Sequence, residues 1–556
     1  MNKFSVNPGN DSFGTQIEKG YLYVDKTEMI HEFLVESFRT PVLFTRPRRF
    51  GKTMVMTMFR DFLDIRRDSK ALFQGLNIMK HPDTVGKYMN QYPVIFISLK
   101  DVNGNGFEKV FDILKNQIAS IFRQYEELLK DESISKFDKL DYESICSQTA
   151  DYATVVSSLK LLAAMLHKHY GEKAFVIVDE YDVPMAKALG KPCYNDVADM
   201  VQSMLSNVGK TTEHIEALMM SGCLHTVKNS GYTGFNNLAS YSILSYQYSD
   251  CFGFTEEEVS RILAEAGMVD KAGLAREWYD GYVFGETHIY NPWDVIKYVD
   301  ETTSGSRRRK MPGKHWIHTS ESREDLVHGF IGKMPDALGS FERLLNGETI
   351  VKKVNEALPY HMLHASGSNL WTGLLETGYL TKATEEDDDV LPLRIPNKEI
   401  TEVFREEVWC FFSTHVENVF LEELMNALWK GNGDGAKGAL DQILEATLSY
   451  LHAYKEYVYQ HILAGVFIGQ SYRVRTEYES GYGRSDIIVE DAARKRALVL
   501  ELKQVEDEKD LGKGIAEACD QTKAKKYESS LIYDGYTDIK KYGLSFWDKR
   551  CLIKAM

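Results

Sequence analysis

The sequence predicts an α/β chain. Three observations carry that prediction. Over the first 210 residues, apolar runs of strand length alternate with helical patterns. A GKT triplet opens a helix directly after one of those strands. Near the other end, two apolar runs with acidic residues at their ends flank a short polar turn, as in a hairpin. Apolar strands set between helices imply a parallel sheet covered on both faces. A length of 556 residues suits three or four domain-sized units. The balance of 44% hydrophobic and 26% charged residues is that of a globular protein.

The elements follow in order. PVLFT (41–45) is a buried-type strand that leads into a helix from about Lys52. YPVIFISL (92–99) is a second strand, followed by an amphipathic helix near 106–130. SSLKLLAAMLHKHYG (157–171) is helical and stops at a glycine, as helices often do. AFVIVDEYD (174–182) is a third strand and EALMMSG (216–222) a fourth. The middle third is mostly helical and rich in aromatics. In WYDGYVFGETHIYNPWDV (278–295) almost no basic residue separates the rings, which favours buried packing of a small lid over base stacking. Three stretches read as linkers or exposed loops: TTSGSRRRKMPGK (302–314), TKATEEDDDVLP (381–392) and KGNGDGAKG (430–438). SRRRK (306–310) reads as solvated, with phosphate contact the sharper alternative. The last quarter is helix, then strand–turn–strand, then helix.

Composition excludes several classes. No apolar run is long enough to span a bilayer. The opening MNKFSVNPGNDSFG has no apolar signal segment. Seven cysteines (146, 193, 223, 251, 410, 519 and 551) are scattered without a CxxC pair, which points to reduced thiols in a cytoplasm and away from structural zinc. The histidines at 214, 225, 288, 315, 318, 328, 361 and 364 form no ligand spacing. A net charge of −15 is not that of a nonspecific nucleic-acid coat, although it leaves room for a local basic groove.

RPRRFGKT (46–53) lies where a phosphate-binding loop belongs, between a buried strand and a helix. Backbone N–H groups at the helix start, from Gly51 on, would hold phosphate. Lys52 would reach the β and γ phosphates of a nucleotide such as ATP, and Thr53 would hold Mg²⁺. Arg46 replaces the first glycine, and Pro47 removes a donor. Arg48 and Arg49 either add charge beside the phosphates or are solvated or paired with neighbouring acids. The run VIVDEYD supplies Asp179 for the Mg²⁺ shell and Glu180 to orient an attacking water, at a strand end where ligands bind in α/β sheets. Ser221, ending the fourth strand, is a candidate γ-phosphate sensor.

YESGYGRSDIIVEDAARKRALVLELKQ (478–504) carries the second constellation. A hairpin symmetric about 493/494 places Asp486 opposite Glu501, Ile488 opposite Val499 and Glu490 opposite Ala497. Opposed residues share a face, and Lys503, two beyond Glu501, joins them. Two opposed carboxylates repel, and a divalent ion, Mg²⁺ or Mn²⁺, removes the penalty. Locally, Lys503 paired with Glu501 is the plainer alternative.

Together RPRRFGKT, YVDKT (23–27), VDEYDVP (178–184), FNNL (235–238), WYDGY (278–282) and YNPWDV (290–295) resemble the AAA-ATPase-like proteins that often carry a C-terminal PD-(D/E)xK nuclease-like domain. The arginine-bearing loop is the usual form there. The resemblance covers most of the chain. Where that family commonly has an arginine after the fourth strand, this chain has SGCLHT with His225, leaving Lys228 as a nearby cation. The D…ExK pattern matches Asp486, Glu501 and Lys503, and the resemblance adds Glu456, Glu479, Gln521 and Tyr527. It implies metal-assisted phosphodiester hydrolysis. Asp486 and Glu501 would hold the metal, Lys503 would position water or stabilise charge, and Lys513, Lys523, Lys525 and Lys526 would meet the nucleic-acid backbone.

The expected architecture is a P-loop AAA+-like parallel-sheet domain (1–215), a helical lid and connector with a winged-helix-like part (216–430), and a restriction-endonuclease-like α/β domain (431–556). The expected function is an ATP-binding, nucleotide-regulated, Mg²⁺- or Mn²⁺-dependent nuclease in the cytoplasm, acting on DNA, with self-association implied by the resemblance. The alternatives are a regulatory nucleotide-binding protein whose nuclease-like domain holds nucleic acid or protein without cutting, and a stand-alone ATPase whose nuclease-like end serves assembly.

Overall fold

The computed structural model describes residues 5–37, 41–210, 213–225, 238–303, 311–315, 336–355, 358, 362–363, 366–383, 390–448, 456–470, 472–480, 483–525 and 528–556. The chain divides into two compact units. One holds residues 1–318, 352–391 and 396–398, and the other holds 319–351, 392–395 and 399–556.

The first unit is built on five strands: β1 (Val42–Thr45), β2 (Val94–Ser98), β3 (Ala174–Asp179), β4 (Ile215–Gly222) and β5 (Ala239–Tyr241). They lie in the order β2-β3-β4-β1-β5, and every neighbouring pair is parallel. Each residue of β1 and β3 is buried, as continuous apolar strands in a covered parallel sheet must be. The four strands expected from sequence are all present. The short β5 escapes the pattern because its three residues, ASY, carry no apolar run. β4 starts at Ile215 and β5 follows it, so the sheet continues past residue 215.

The helices around this sheet are α1 (Phe13–Glu18), α2 (Lys52–Leu63), α3 (Phe107–Phe122), α4 (Tyr152–Tyr170) and α5 (Tyr194–Gly209). Helix α3 was expected to reach 130. Instead the chain tightens to 3-10 geometry at Arg123, and Tyr125 leaves helical angles (φ −126°, ψ 39°). Its hydroxyl donates to Val94 O at 2.6 Å, so the side chain is spent on the sheet rather than on the helix surface. Helix α4 begins five residues before the expected position because Asp151 caps it, accepting from Thr154 N at 2.8 Å. It ends where expected, at Gly171 (φ 78°).

Beyond the sheet come α6 (Glu256–Glu265), α7 (Ala272–Tyr279), the hairpin β6 (Tyr282–Phe284) with β7 (Thr287–Ile289), and α8 (Pro292–Thr303). Tyr279, Tyr282, Phe284, Tyr290 and Tyr298 are buried, so the aromatic run is core, as its lack of basic residues suggests. Lys26 of YVDKT ties this layer down, donating to Glu258 (2.7 Å) and to Asp250 O (2.7 Å). At the end of the expected linker 302–314, Gly313 is buried, and its N–H and C=O both bond Tyr279 Oη. Residues 304–310 lie outside the described set, as do 384–389 with the acidic block.

The second unit contains α9 (Asn418–Lys430), α10 (Gly433–Thr447), α11 (Glu456–Gly469) and α12 (Leu511–Lys525). Its sheet runs β8 (Arg473–Ser480), β9 (Gly483–Asp491), β10 (Arg496–Gln504), β11 (Asp538–Trp547) and β12 (Arg550–Ala555), in that order. Only β10 and β11 pair in parallel. The glycine-rich KGNGDGAKG is a correction to the loop expected there. Gly431 (φ 80°) ends α9, Asn432 accepts from Gly435 N at 3.0 Å, and residues 433–438 are the first turns of α10. Small residues are needed there. A Cβ on Gly433 would meet Ile553 O at 3.0 Å, and one on Gly435 would meet Asn432 Nδ2 at 2.5 Å. Among the described residues, no helix is long and apolar enough to cross a membrane.

Candidate functional site

The first site forms at the carboxyl ends of β1, β3 and β4. Because β4 lies between β1 and β3, residues far apart in sequence converge there. Thr53 Oγ1 donates to Asp179 Oδ2 at 2.8 Å, and Ser221 Oγ donates to Asp179 Oδ1. Asp179 is fully buried. Burial raises its pKa, and the bonds from Ser221 and Thr53 and the charge of Lys52 oppose that rise. Glu180 is held at φ 52°, a strained angle for a side chain with a Cβ, and its N–H bonds Ser221 Oγ at 3.3 Å. Burial also raises the Glu180 pKa, against the charge of Lys52.

The loop itself departs from a glycine-rich one in an informative way. Two residues take left-handed angles, Arg49 (φ 71°) and Gly51 (φ 86°), and only the second is glycine. Gly51 is the N-cap of α2. Lys52 Nζ donates to Arg46 O and Pro47 O, both at 2.9 Å, and stands 3.6 Å from Cys223 Sγ. Burial raises the Cys223 thiol pKa, which Lys52 and Arg48 partly offset.

The arginines divide by role. Arg46 is fully buried: Nη1 donates to Thr45 O and Tyr241 O, both at 2.8 Å, and Nη2 to Tyr248 O at 2.9 Å. Its guanidinium lies 4.9 Å from the Phe252 ring centre and 5.4 Å from that of Phe284. Burial brings its pKa down to about 10, so it stays charged at neutral pH. The residue that breaks the glycine pattern thus ties β1 to the chain around β5. Arg48 is half-buried near Cys223. Arg49 stacks on Trp293 at 4.6 Å and donates to His315 O at 2.6 Å. Phe50 packs edge-on against Tyr282 with centroids 5.0 Å apart.

Two residues of VDEYDVP have roles that sequence reasoning missed. Tyr181 Oη donates to Leu224 O at 2.6 Å, and Asp182 Oδ2 accepts from Cys223 N (2.8 Å) and Leu224 N (3.0 Å). They shape the loop after β4. The DEYD spacing was the available signal. His225 is buried, and Lys228 and the first three residues of FNNL lie outside the described residues.

The second site is on β9 and β10. The register is the symmetric one: Ile487 pairs with Leu500, Ile488 with Val499 and Glu490 with Ala497, and Asp486 and Glu501 are the next residues on their strands beyond the Ile487–Leu500 pair. Asp486 Oδ2 accepts from Leu502 N at 2.6 Å, and its carbonyl accepts from Gln460 Nε2 at 2.8 Å. Glu501 is fully buried, with Lys503 Nζ 3.9 Å from its Oε1. Lys503 Nζ also donates to Leu502 O at 2.8 Å. Glu456, at the start of α11, accepts from Gln504 N at 3.2 Å. Helix α12 packs on the same face. Gly543, the register partner of Glu501, has Cys519 Sγ 2.8 Å from where its Cβ would be. Half-buried Gln521 and exposed Lys513 and Lys523 lie on this helix. Tyr527, Lys526 and the side chains of Lys525 and Glu479 lie outside the described residues.

Among the described residues, no group of three His, Cys, Asp or Glu side chains is placed to hold a metal ion. Each site instead holds oxygen-bearing side chains: Thr53 bonded to Asp179 in one, and Asp486 and Glu501 on the neighbouring strands β9 and β10 in the other. That donor set fits Mg²⁺, which keeps several waters and takes one or two carboxylates plus phosphate oxygens.

A parallel sheet with a strand–loop–helix at β1 and acids at the end of β3, joined to a mixed sheet with an acidic hairpin, defines the class: an α/β protein with a nucleotide-binding-type sheet and a nuclease-like sheet. The family comparisons give the same division. Residues 8–231 match the family described as predicted AAA-ATPase, and residues 454–556 match the PD-(D/E)XK nuclease superfamily. The chain therefore carries an AAA-ATPase-like domain and a PD-(D/E)XK nuclease-superfamily domain. It is also 28% identical over 278 residues to an uncharacterized protein in the vnfD 5′ region of Azotobacter chroococcum mcd 1, covering 50% of this chain and 48% of that protein. The chain thus spans about half the length of the curated relative it matches.

Proposed function

We propose that the protein is an ATP-binding, nucleotide-regulated, metal-dependent nuclease that acts on DNA. The observation carrying this reading is the hairpin register, in which Ile487 pairs with Leu500 and Ile488 with Val499, together with the Lys503 ammonium 3.9 Å from the Glu501 carboxylate. Asp486 and Glu501 would hold Mg²⁺ or Mn²⁺, which when bound supplies Lewis acidity at the scissile phosphate. The backbone N–H of Leu502 orients Asp486. Lys503 positions water or stabilises charge on the phosphate, Gln521 supports the site from α12, and the exposed lysines of α12 meet the phosphate backbone.

In the N-terminal unit, Lys52, Gly51 and the start of α2 hold the phosphates, with Arg48 adding charge. Arg49 lies at Trp293 and serves as the link to α8. Thr53 and Asp179 would hold Mg²⁺, Glu180 orients water, and Ser221 fixes Asp179. Nucleotide binding sets the state in which the nuclease domain engages DNA.

One observation favours the second reading, a regulatory protein that binds without cutting: Glu501 is fully buried. Cleavage of circular and linear DNA and of RNA, with Mg²⁺ or Mn²⁺ and with or without ATP, separates the two. Wild type is run beside Lys503→Ala and Lys52→Ala. The nuclease reading expects cutting that is lost in Lys503→Ala and responds to ATP only while Lys52 is present. Nucleotide binding without cutting of any substrate selects the regulatory reading.

A further inference from the structure

Helix α11 touches both strands of the acidic hairpin at the point where they part. Among the described residues, β9 and β10 pair as far as Ile487–Leu500. On its other side β9 stays paired with β8 beyond that point, through Tyr478–Ser485. Asp486 and Glu501 are the first residues past the last β9–β10 pair. There the Asp486 carboxylate takes the Leu502 N–H at 2.6 Å, so a side chain bridges the strands where the ladder has ended. The Asp486 carbonyl is held from α11: Gln460 Nε2 donates to it at 2.8 Å.

Gln460 is buried, with 7% exposure, so its amide is held by packing as well as by this bond. Glu456 lies four residues earlier, on the same helix face, and accepts from Gln504 N at 3.2 Å, one residue past Lys503. One face of α11 thus meets β9 at Asp486 and β10 beside Lys503. The helix has anchors of its own. Tyr459 Oη donates to Asp548 O at 2.6 Å, and the Tyr459 ring stacks on Phe546 with centroids 4.4 Å apart. Seating α11 does not depend on Gln460, whose amide acts on the chain at Asp486.

We propose that Gln460 is a positioning residue for the metal site of this hairpin: by fixing the Asp486 carbonyl it sets where the Asp486 carboxylate stands relative to Glu501 across the parted strands. This rests on the reading of β9 and β10 as a metal-binding nuclease hairpin. An aspartate side chain is short, so its carboxylate follows the backbone that carries it. Past the end of the ladder, the Gln460 bond fixes that backbone from the helix side. Partners that hold ligands in this way typically tune metal affinity by about 10–100-fold. Gln460 touches no reacting atom and acts through the direction of Asp486.

The test uses the full chain with Mn²⁺. Electron paramagnetic resonance of free Mn²⁺ gives the binding curve, and the hairpin site is the one lost in Asp486→Ala. Plasmid cleavage is measured over the same Mn²⁺ range, and urea unfolding gives the stability of each variant. Gln460→Met keeps the length of the side chain and removes the donor, whereas Gln460→Lys keeps a donor of similar reach. The expected result for Gln460→Met is a Mn²⁺ Kd raised about tenfold at the hairpin site, with the Mn²⁺ needed for half-maximal cutting raised in step. The cutting rate at saturating Mn²⁺ stays within about threefold of wild type, the pattern of weakened metal binding rather than lost chemistry. Gln460→Lys recovers most of the affinity. A Kd in Gln460→Met within about twofold of wild type overturns the inference while leaving the nuclease reading standing. So does an affinity loss shared by Gln460→Lys that follows a lower urea midpoint, which is the mark of a merely structural residue. Wild type with no Mn²⁺ site that Asp486→Ala removes overturns the nuclease reading and this inference with it.

Discussion

At the scale of the residue, Arg46 shows how a motif's odd letter acquires a physical role. Its three hydrogen bonds go to carbonyls of Thr45, Tyr241 and Tyr248, all in or near the sheet that carries the loop. A buried carbonyl left without its donor costs about 1–3 kcal/mol. Arg46→Met is therefore expected to lose about 3 kcal/mol or more in urea unfolding, with nucleotide affinity reduced only through stability. Arg46→Lys does not rescue it, because one ammonium cannot span a set of carbonyls matched to a planar fork. Arg48→Ala is the contrasting case. Half-buried near Cys223, Arg48 is expected on replacement to weaken ATP-analogue binding.

At the scale of the element, β4 holds the site together by what it lacks. Its last residue, Gly222, faces the Tyr181 ring, and a Cβ there would lie 2.6 Å from Tyr181 Cε1 and 2.8 Å from Asp182 Oδ1. Gly222→Ala overpacks this junction, at a cost of about 1–3 kcal/mol. It also pushes Asp182 off the N–H groups of Cys223 and Leu224. The expected outcome is a lower urea midpoint together with weaker ATP-analogue binding, since Cys223 lies against Lys52. A loss of stability with affinity unchanged would show that the loop after β4 does not shape the phosphate site. The nuclease-like sheet has a matching junction. Gly543→Ala would press on Cys519 of α12, and the same measurement should show lost stability with ATP-analogue binding preserved.

At the scale of the whole molecule, the two compact units make ligand effects separable. A ligand that binds only the native state at about a hundred times its Kd adds about 2.7 kcal/mol. MgATP is expected to raise the melting temperature of wild type and of Lys503→Ala alike, and not that of Lys52→Ala. A shift that survives Lys52→Ala would place the nucleotide elsewhere. With a net charge of −15, any DNA contact must come from a local basic surface. DNA affinity should therefore fall steeply between about 50 and 200 mM salt, and Lys513→Ala with Lys523→Ala should flatten that slope.

Much of this protein is legible in its amino-acid sequence alone. The buried strands at 42–45, 94–98, 174–179 and 215–222 announce themselves by apolar runs, because a strand covered on both faces has no polar side to show. The register of the last hairpin, Ile488 with Val499 and Glu490 with Ala497, is legible as well, since a short turn and a side-chain period of two leave little freedom in how adjacent strands pair. KGNGDGAKG misleads because glycine frequency signals loops on average, whereas here close backbone approach to β12 demands small residues inside a helix. Only the tertiary structure decided the strand order that sets Ser221 between the loop and Asp179, and the burial of Arg46. Those features depend on which distant segments pack together. Local periodicity records what an element buries, but not the neighbour it is buried against.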